Sequence, residues 1–93
     1  MSGDVPPDVK AVLTQLFEEA QDAFESGDSE TGVKAVTSAA TVARTKLPDG
    51  ELRAQVLHGC ERVEALAGEG GNTAVAVEYV TATERRLAET TSD

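Results

Sequence analysis

Three interruptions divide this chain into four stretches of helical length: Gly27, the turn Pro48-Asp49-Gly50, and the run Gly68-Glu69-Gly70-Gly71. Within the first three stretches the apolar residues recur at steps of three and four, which is the period of one helix face. A half-buried strand would need a period of two. A chain punctuated in this way is expected to fold as helices joined by short turns.

The first stretch carries the clearest pattern. Val9, Val12, Leu13, Leu16, Phe17, Ala20, Ala23 and Phe24 follow one face, and Glu18, Glu19, Gln21, Asp22 and Glu25 fill the other. Pro6-Pro7 precede it, and proline is favoured in a first helical turn because its missing N–H would have no intrahelical partner there. Gly27 can end the helix in the left-handed cap conformation at little cost. These signals predict a helix over 7–26. Asp28 or Ser29 offers a capping oxygen to a second helix over 29–47. Its inner stripe is Val33, Val36, Ala39, Ala40, Ala43 and Leu47, with Lys34, Thr37, Ser38, Thr41 and Thr45 mostly outside. Pro48 presets one turn dihedral and Gly50 supplies the permissive one. A third helix over 51–67 turns Leu52, Val56, Cys60, Val63 and Ala67 inward, with Leu57 and Leu66 at the margin.

The fourth stretch reads two ways. Thr73, Val75, Val77, Tyr79, Thr81 and Thr83 alternate as in a strand. Against that, no second clear strand exists to pair its backbone. The stretch is also long for a strand, and it runs on into the helix-forming Glu84-Arg85-Arg86-Leu87-Ala88-Glu89. A helix over 72–89, capped by Asn72, is the expectation.

The predicted fold class is therefore all-α: one domain over 1–93, with short flexible termini and four helices forming two antiparallel hairpins like a four-helix bundle. An offset of 44 residues sets Val12 on Val56, Leu13 on Leu57, Ala23 on Ala67, Gly27 on Gly71, Val36 on Val80 and Thr37 on Thr81. That pattern suits a duplicated hairpin, and it equally suits two hairpins alike only in composition.

Composition sharpens the picture of the core. There are 14 Ala, 11 Val and 7 Leu, no Ile or Trp, and only Phe17, Phe24 and Tyr79 as aromatics. Such a core relies on close helix approach. Because burial contributes roughly 25 cal/mol per Å² of apolar surface, each Ala adds little. The net charge of −9, from 17 acids against 8 bases, argues against non-specific nucleic-acid binding and against docking on an anionic membrane. Arg85-Arg86 is the only basic pair, too small for a phosphate-tracking surface. No stretch approaches a membrane span, and Met1–Pro7 has neither the basic nor the apolar region of a signal peptide. Cys60 is alone, so no internal disulfide is possible. A cytoplasmic location is expected.

With abundant acids, only Lys10, Lys34 and Lys46 as lysines, and Arg, Ala, Val and Thr in place of Lys and Ile, the composition resembles proteins of salt-accumulating, haloarchaeal-type proteomes. An acidic protein of any GC-rich mesophile is the other reading. The turn Phe24-Glu25-Ser26-Gly27-Asp28 resembles that between the two helices of a tetratricopeptide unit. The likeness stops there. Leu16 and Gly32 stand where that family places a large aromatic and an alanine, and nothing repeats at 34 residues.

Few residues carry the makings of chemistry. His58 and Glu61 are neighbours on one helix surface, and Glu64 or Cys60 is near enough in sequence to join a metal site. A di-metal carboxylate bundle needs two Glu-x-x-His pairs, and this chain has a single His in the reverse order. Cys60 and His58 are two apart and point to different sides of a helix, which disfavours a nucleophilic pair. Gly68–Gly71 lacks the Lys of a phosphate-binding loop and reads as a linker. The acids Glu18, Glu19, Asp22 and Glu25 read as a solvated face.

One feature asks for a partner. From Ala74 to Ala82 only Glu78 and Thr81 are polar, so the helix is apolar all round, as in one buried on more than one side. Ala74, Val75, Val77, Tyr79 and Val80 are accordingly the candidate interface for a second copy or another protein. The expected function is a non-enzymatic helical protein-interaction module, homo-oligomeric, with no cofactor and no small-molecule ligand inferable. The alternative is a small metal-handling or enzymatic bundle using His58, Glu61 and Glu64.

Overall fold

A computed structural model describes residues 6–68 and 73–89. They form four helices, α1 (Pro7–Glu25), α2 (Ser29–Lys46), α3 (Glu51–Gly68) and α4 (Thr73–Glu89), and no strand occurs among the described residues. The fourth stretch is a helix. The expected cap at Asn72, the linker residues 69–71 and the chain termini lie outside the described residues.

The turn between α1 and α2 is short because Asp28 closes α1 with its N–H and caps α2 with its side chain. The Asp28 N–H donates to the carbonyl of Ala23 (2.8 Å) and the Gly27 N–H to that of Phe24 (3.2 Å). This is the Schellman pattern, and Gly27 takes the required positive φ of 89°. The Asp28 carboxylate then accepts the Thr31 N–H at 3.2 Å and caps α2. Thr31, through its side chain first and then its N–H, holds the Asp28 carboxyl below the ordinary carboxylate range. The α2–α3 turn is fastened by Arg53, which donates to Asp49 Oδ1 (2.9 Å) and to the Arg44 carbonyl (3.2 Å).

Each helix packs on two neighbours: α1 on α2 and α4, and α3 on α2 and α4. Short connections make successive helices antiparallel, and the α1–α4 contact closes the ring into a compact helical bundle. Leu13, Phe17, Ala20 and Phe24 of α1 meet Val36, Ala39, Ala43 and Leu47 of the second segment in one core. Val56, Cys60, Val63 and Ala67 of α3 and Ala76, Val80 and Leu87 of α4 complete it.

Two stripes sit differently from the expected register. Val12 is 45% exposed, and Val33 is half-buried while Gly32 and Ala35 are buried. α2 is turned so that its smallest residues meet α1, because the ring of Phe24 occupies the space over Gly32. The 44-residue correspondence also shifts. Leu13, Phe17, Ala20 and Phe24 match Val56, Cys60, Val63 and Ala67 in burial at an offset of 43. Val36 and Ala43 match Val80 and Leu87 at 44. The sequence pairing of Val12 with Val56 joins an exposed residue to a buried one.

Candidate functional site

α4 lies between α1 and α3, and its residues sort by the neighbour they face. Ala76, Val80 and Leu87 enter the core, with Val80 only 1% exposed. Thr81 and Glu84 face α1, where Gln21 Nε2 donates to Thr81 Oγ1 (3.1 Å) and to Glu84 Oε1 (2.9 Å). Val77, one turn before Thr81, shares that side and packs against the core. Tyr79 and Thr83 face α3. The Arg62 guanidinium lies 5.7 Å from the centre of the Tyr79 ring, and the Thr83 hydroxyl donates to the Tyr79 carbonyl at 2.8 Å. Ala74, Glu78, Ala82 and Arg85 point to water.

The five sequence-proposed interface residues therefore separate. Val80 belongs to the core and Val77 to the α1 side, while Ala74, Val75 and Tyr79 remain on the outer and α3-facing side. The reason is geometric. In a closed ring of four, each helix has a neighbour on both flanks as well as the core. Much of the all-round apolar helix is thus covered within the chain, and the outer face of α4 is what remains toward water.

Beside Tyr79 a shallow groove runs between α3 and α4, lined by Ala54, His58, Gly59, Tyr79, Ala82 and Arg86. Its floor is low because Gly59 has no side chain, and a Cβ there would collide with Thr83 Oγ1. The fold thus brings His58 and Tyr79, separate in the sequence reading, to one surface.

The trio His58, Glu61 and Glu64 does not converge. Residues three apart step back by about 60° around a helix, so the first and last diverge by about 120°. Glu64 is turned toward α2, where it accepts the Thr37 hydroxyl at 2.9 Å. Cys60 is 1% exposed in the core. Burial, then the nearby Glu64, pushes its thiol up to about 12, against a smaller opposing effect of Arg44. Among the described residues, no three of His, Cys, Asp and Glu stand close enough to hold a metal ion.

The acids Glu18, Glu19, Asp22 and Glu25 are exposed. Burial and the charge of Glu18 push the Glu84 carboxyl upward, and the Gln21 bond opposes this. Sequence reasoning missed the Gln21–Thr81–Glu84 cluster, the Arg62–Tyr79 contact, and the close approaches at Gly32 and Gly59. A glycine inside a helical pattern was the available sign of the last two.

No helix among the described residues is long and apolar enough to cross a membrane. A family model described as Domain of unknown function (DUF8101) matches residues 1–89. No curated protein matches the chain, and no solved structure does.

Proposed function

The chain belongs to the DUF8101 family, a domain of unknown function, and from that premise we propose that it is a non-enzymatic helical interaction module that works as a homodimer through the outer face of α4. The observation that carries this reading is the surface where Ala74 and Ala82 stand exposed beside half-buried Tyr79 and the α3–α4 groove. Small side chains there let another helix come close, and Tyr79 supplies an aromatic edge with a polar tip, the kind of residue enriched at interfaces. A second copy is the simplest occupant, since closed two-fold dimers are the commonest soluble assembly. The same reading places the protein in the cytoplasm of a salt-accumulating cell, where its net charge of −9 would be screened.

The test is absolute mass by light scattering on a sizing column, in molar KCl and again at low salt. Ala82→Arg puts a long charged side chain on an exposed position without entering the core. It should give a monomer with unchanged helical circular dichroism. Tyr79→Asp and Val77→Asp are poorer probes because both residues pack against the core. A wild-type protein monomeric in both salts would overturn the proposal.

A further inference from the structure

We infer that two copies pair antiparallel along α4, about a two-fold axis beside Ala82, with Glu78 of each copy meeting Arg85 of its partner. The inference rests on the dimer reading above and specifies its geometry.

Glu78, Ala82 and Arg85 share the water-facing strip of α4. Glu78 and Arg85 are seven residues apart, about 10 Å along the helix. That is too far to pair with each other. The salt bridges among the described residues are Glu30–Lys34 and Asp49–Arg53, so neither Glu78 nor Arg85 is engaged in one. An isologous contact requires a surface complementary to itself. If α4 is laid against an inverted copy with the axis between residues 81 and 82, each Glu78 falls opposite an Arg85. Two equivalent pairs result, one on either side of the axis, and Ala82 at the crossing lets the helices approach. A parallel pairing would instead set Glu78 against Glu78 and Arg85 against Arg85.

The charge of the whole bundle favours the same orientation. Six of the eight bases, Lys10, Arg44, Lys46, Arg53, Arg85 and Arg86, lie in the half of the bundle toward the 47–50 turn. Glu19, Asp22, Glu25, Asp28, Glu30 and Glu61 lie in the other half. Asp8, Asp49, Glu51, Glu84 and Glu89 nearly balance those six bases, so antiparallel copies set each strongly acidic end beside a nearly neutral one, and parallel copies would set the two acidic ends together. Such complementarity steers association and fixes orientation more than it adds affinity.

A charge-swap cycle at low salt tests this, with dimerisation followed by light scattering over a dilution series. Glu78→Arg and Arg85→Glu should each weaken the dimer about tenfold, since each turns two exposed attractions into repulsions. The double variant E78R/R85E restores both pairs in reversed sense and should recover wild-type dimerisation. Molar KCl should erase the differences among all four proteins. Both positions are exposed, so helical content should stay unchanged and confirm folding, while the melting temperature of the single variants should fall only as far as the weaker dimer requires. A dimer indifferent to the single reversals, or a double variant as weak as the singles, would overturn the orientation and leave the dimer reading standing. A wild-type monomer would overturn both.

Discussion

The ring of Phe24 lies directly over the bare Cα of Gly32: a Cβ at position 32 would stand 2.5 Å from ring atom Cε1 and 2.7 Å from Cδ1 and Cζ. Phe24 is 2% exposed and cannot swing away. Gly32→Ala should therefore destabilise the protein. Overpacking a core costs about 1–3 kcal/mol, and the better helix propensity of Ala returns only up to about 1. Thermal melts should show the loss in the wild-type background. In a Phe24→Leu background, where the ring is gone, the same Ala should cost little or add stability.

Gly59 and Thr83 make the corresponding close approach between α3 and α4. Gly59→Ala should lower the melting temperature, because the new methyl group meets Thr83 Oγ1. Thr83→Ala removes that atom, and the double variant should recover most of the loss. A cycle in which the two effects simply add would show that the contact does not limit the helix approach.

Cys60 should be inert in the folded protein. Its thiol is buried and pushed up to about 12 from the ordinary 9.0, and reactivity follows the exposed thiolate. A thiol reagent at mildly alkaline pH should modify it only as fast as the bundle opens, and promptly in denaturant. The folded state holds this proton more tightly than the unfolded chain. The associated stability is thus full below pH 9 and is lost as pH rises toward 12. Cys60→Val should remove that part of the alkaline fall, which chemical denaturation across this pH range would measure.

Glu84 should respond in the carboxylate range. Its carboxyl is raised above the ordinary 4.5, mainly by burial and then by Glu18. The folded state therefore favours the protonated form. The stability this gives is present below pH 4.5 and disappears as pH rises through the folded value. Glu84→Gln keeps an acceptor for Gln21 and removes the charge. It should raise the melting temperature at neutral pH and leave it unchanged in acid, and added salt should shrink the neutral-pH difference.

The breaks at Gly27 and Pro48–Gly50 placed three helices in advance, because a cap glycine or a proline acts through the local backbone and needs no tertiary partner. The inward positions of Leu13, Phe17, Val36, Val56, Cys60 and Val63 were legible for a similar reason: a 3.6-residue period defines a face whatever it packs against. The strand-like alternation of Thr73–Thr83 yielded to helix once three other helices stood ready to cover it.

What the sequence could not supply was rotation and neighbourhood. Val12 fits the inner stripe of α1 by spacing and yet is exposed, since spacing defines a face but not which edge of it the neighbouring helices cover. Whether Val77 and Val80 needed an outside partner depended on the ring closing between α1 and α4, which joins residues some sixty positions apart, as Gln21 and Thr81 show. Periodicity along one helix carries no record of such a partner, so the outer face left to Ala74, Glu78, Ala82 and Arg85 was decided by the tertiary structure alone.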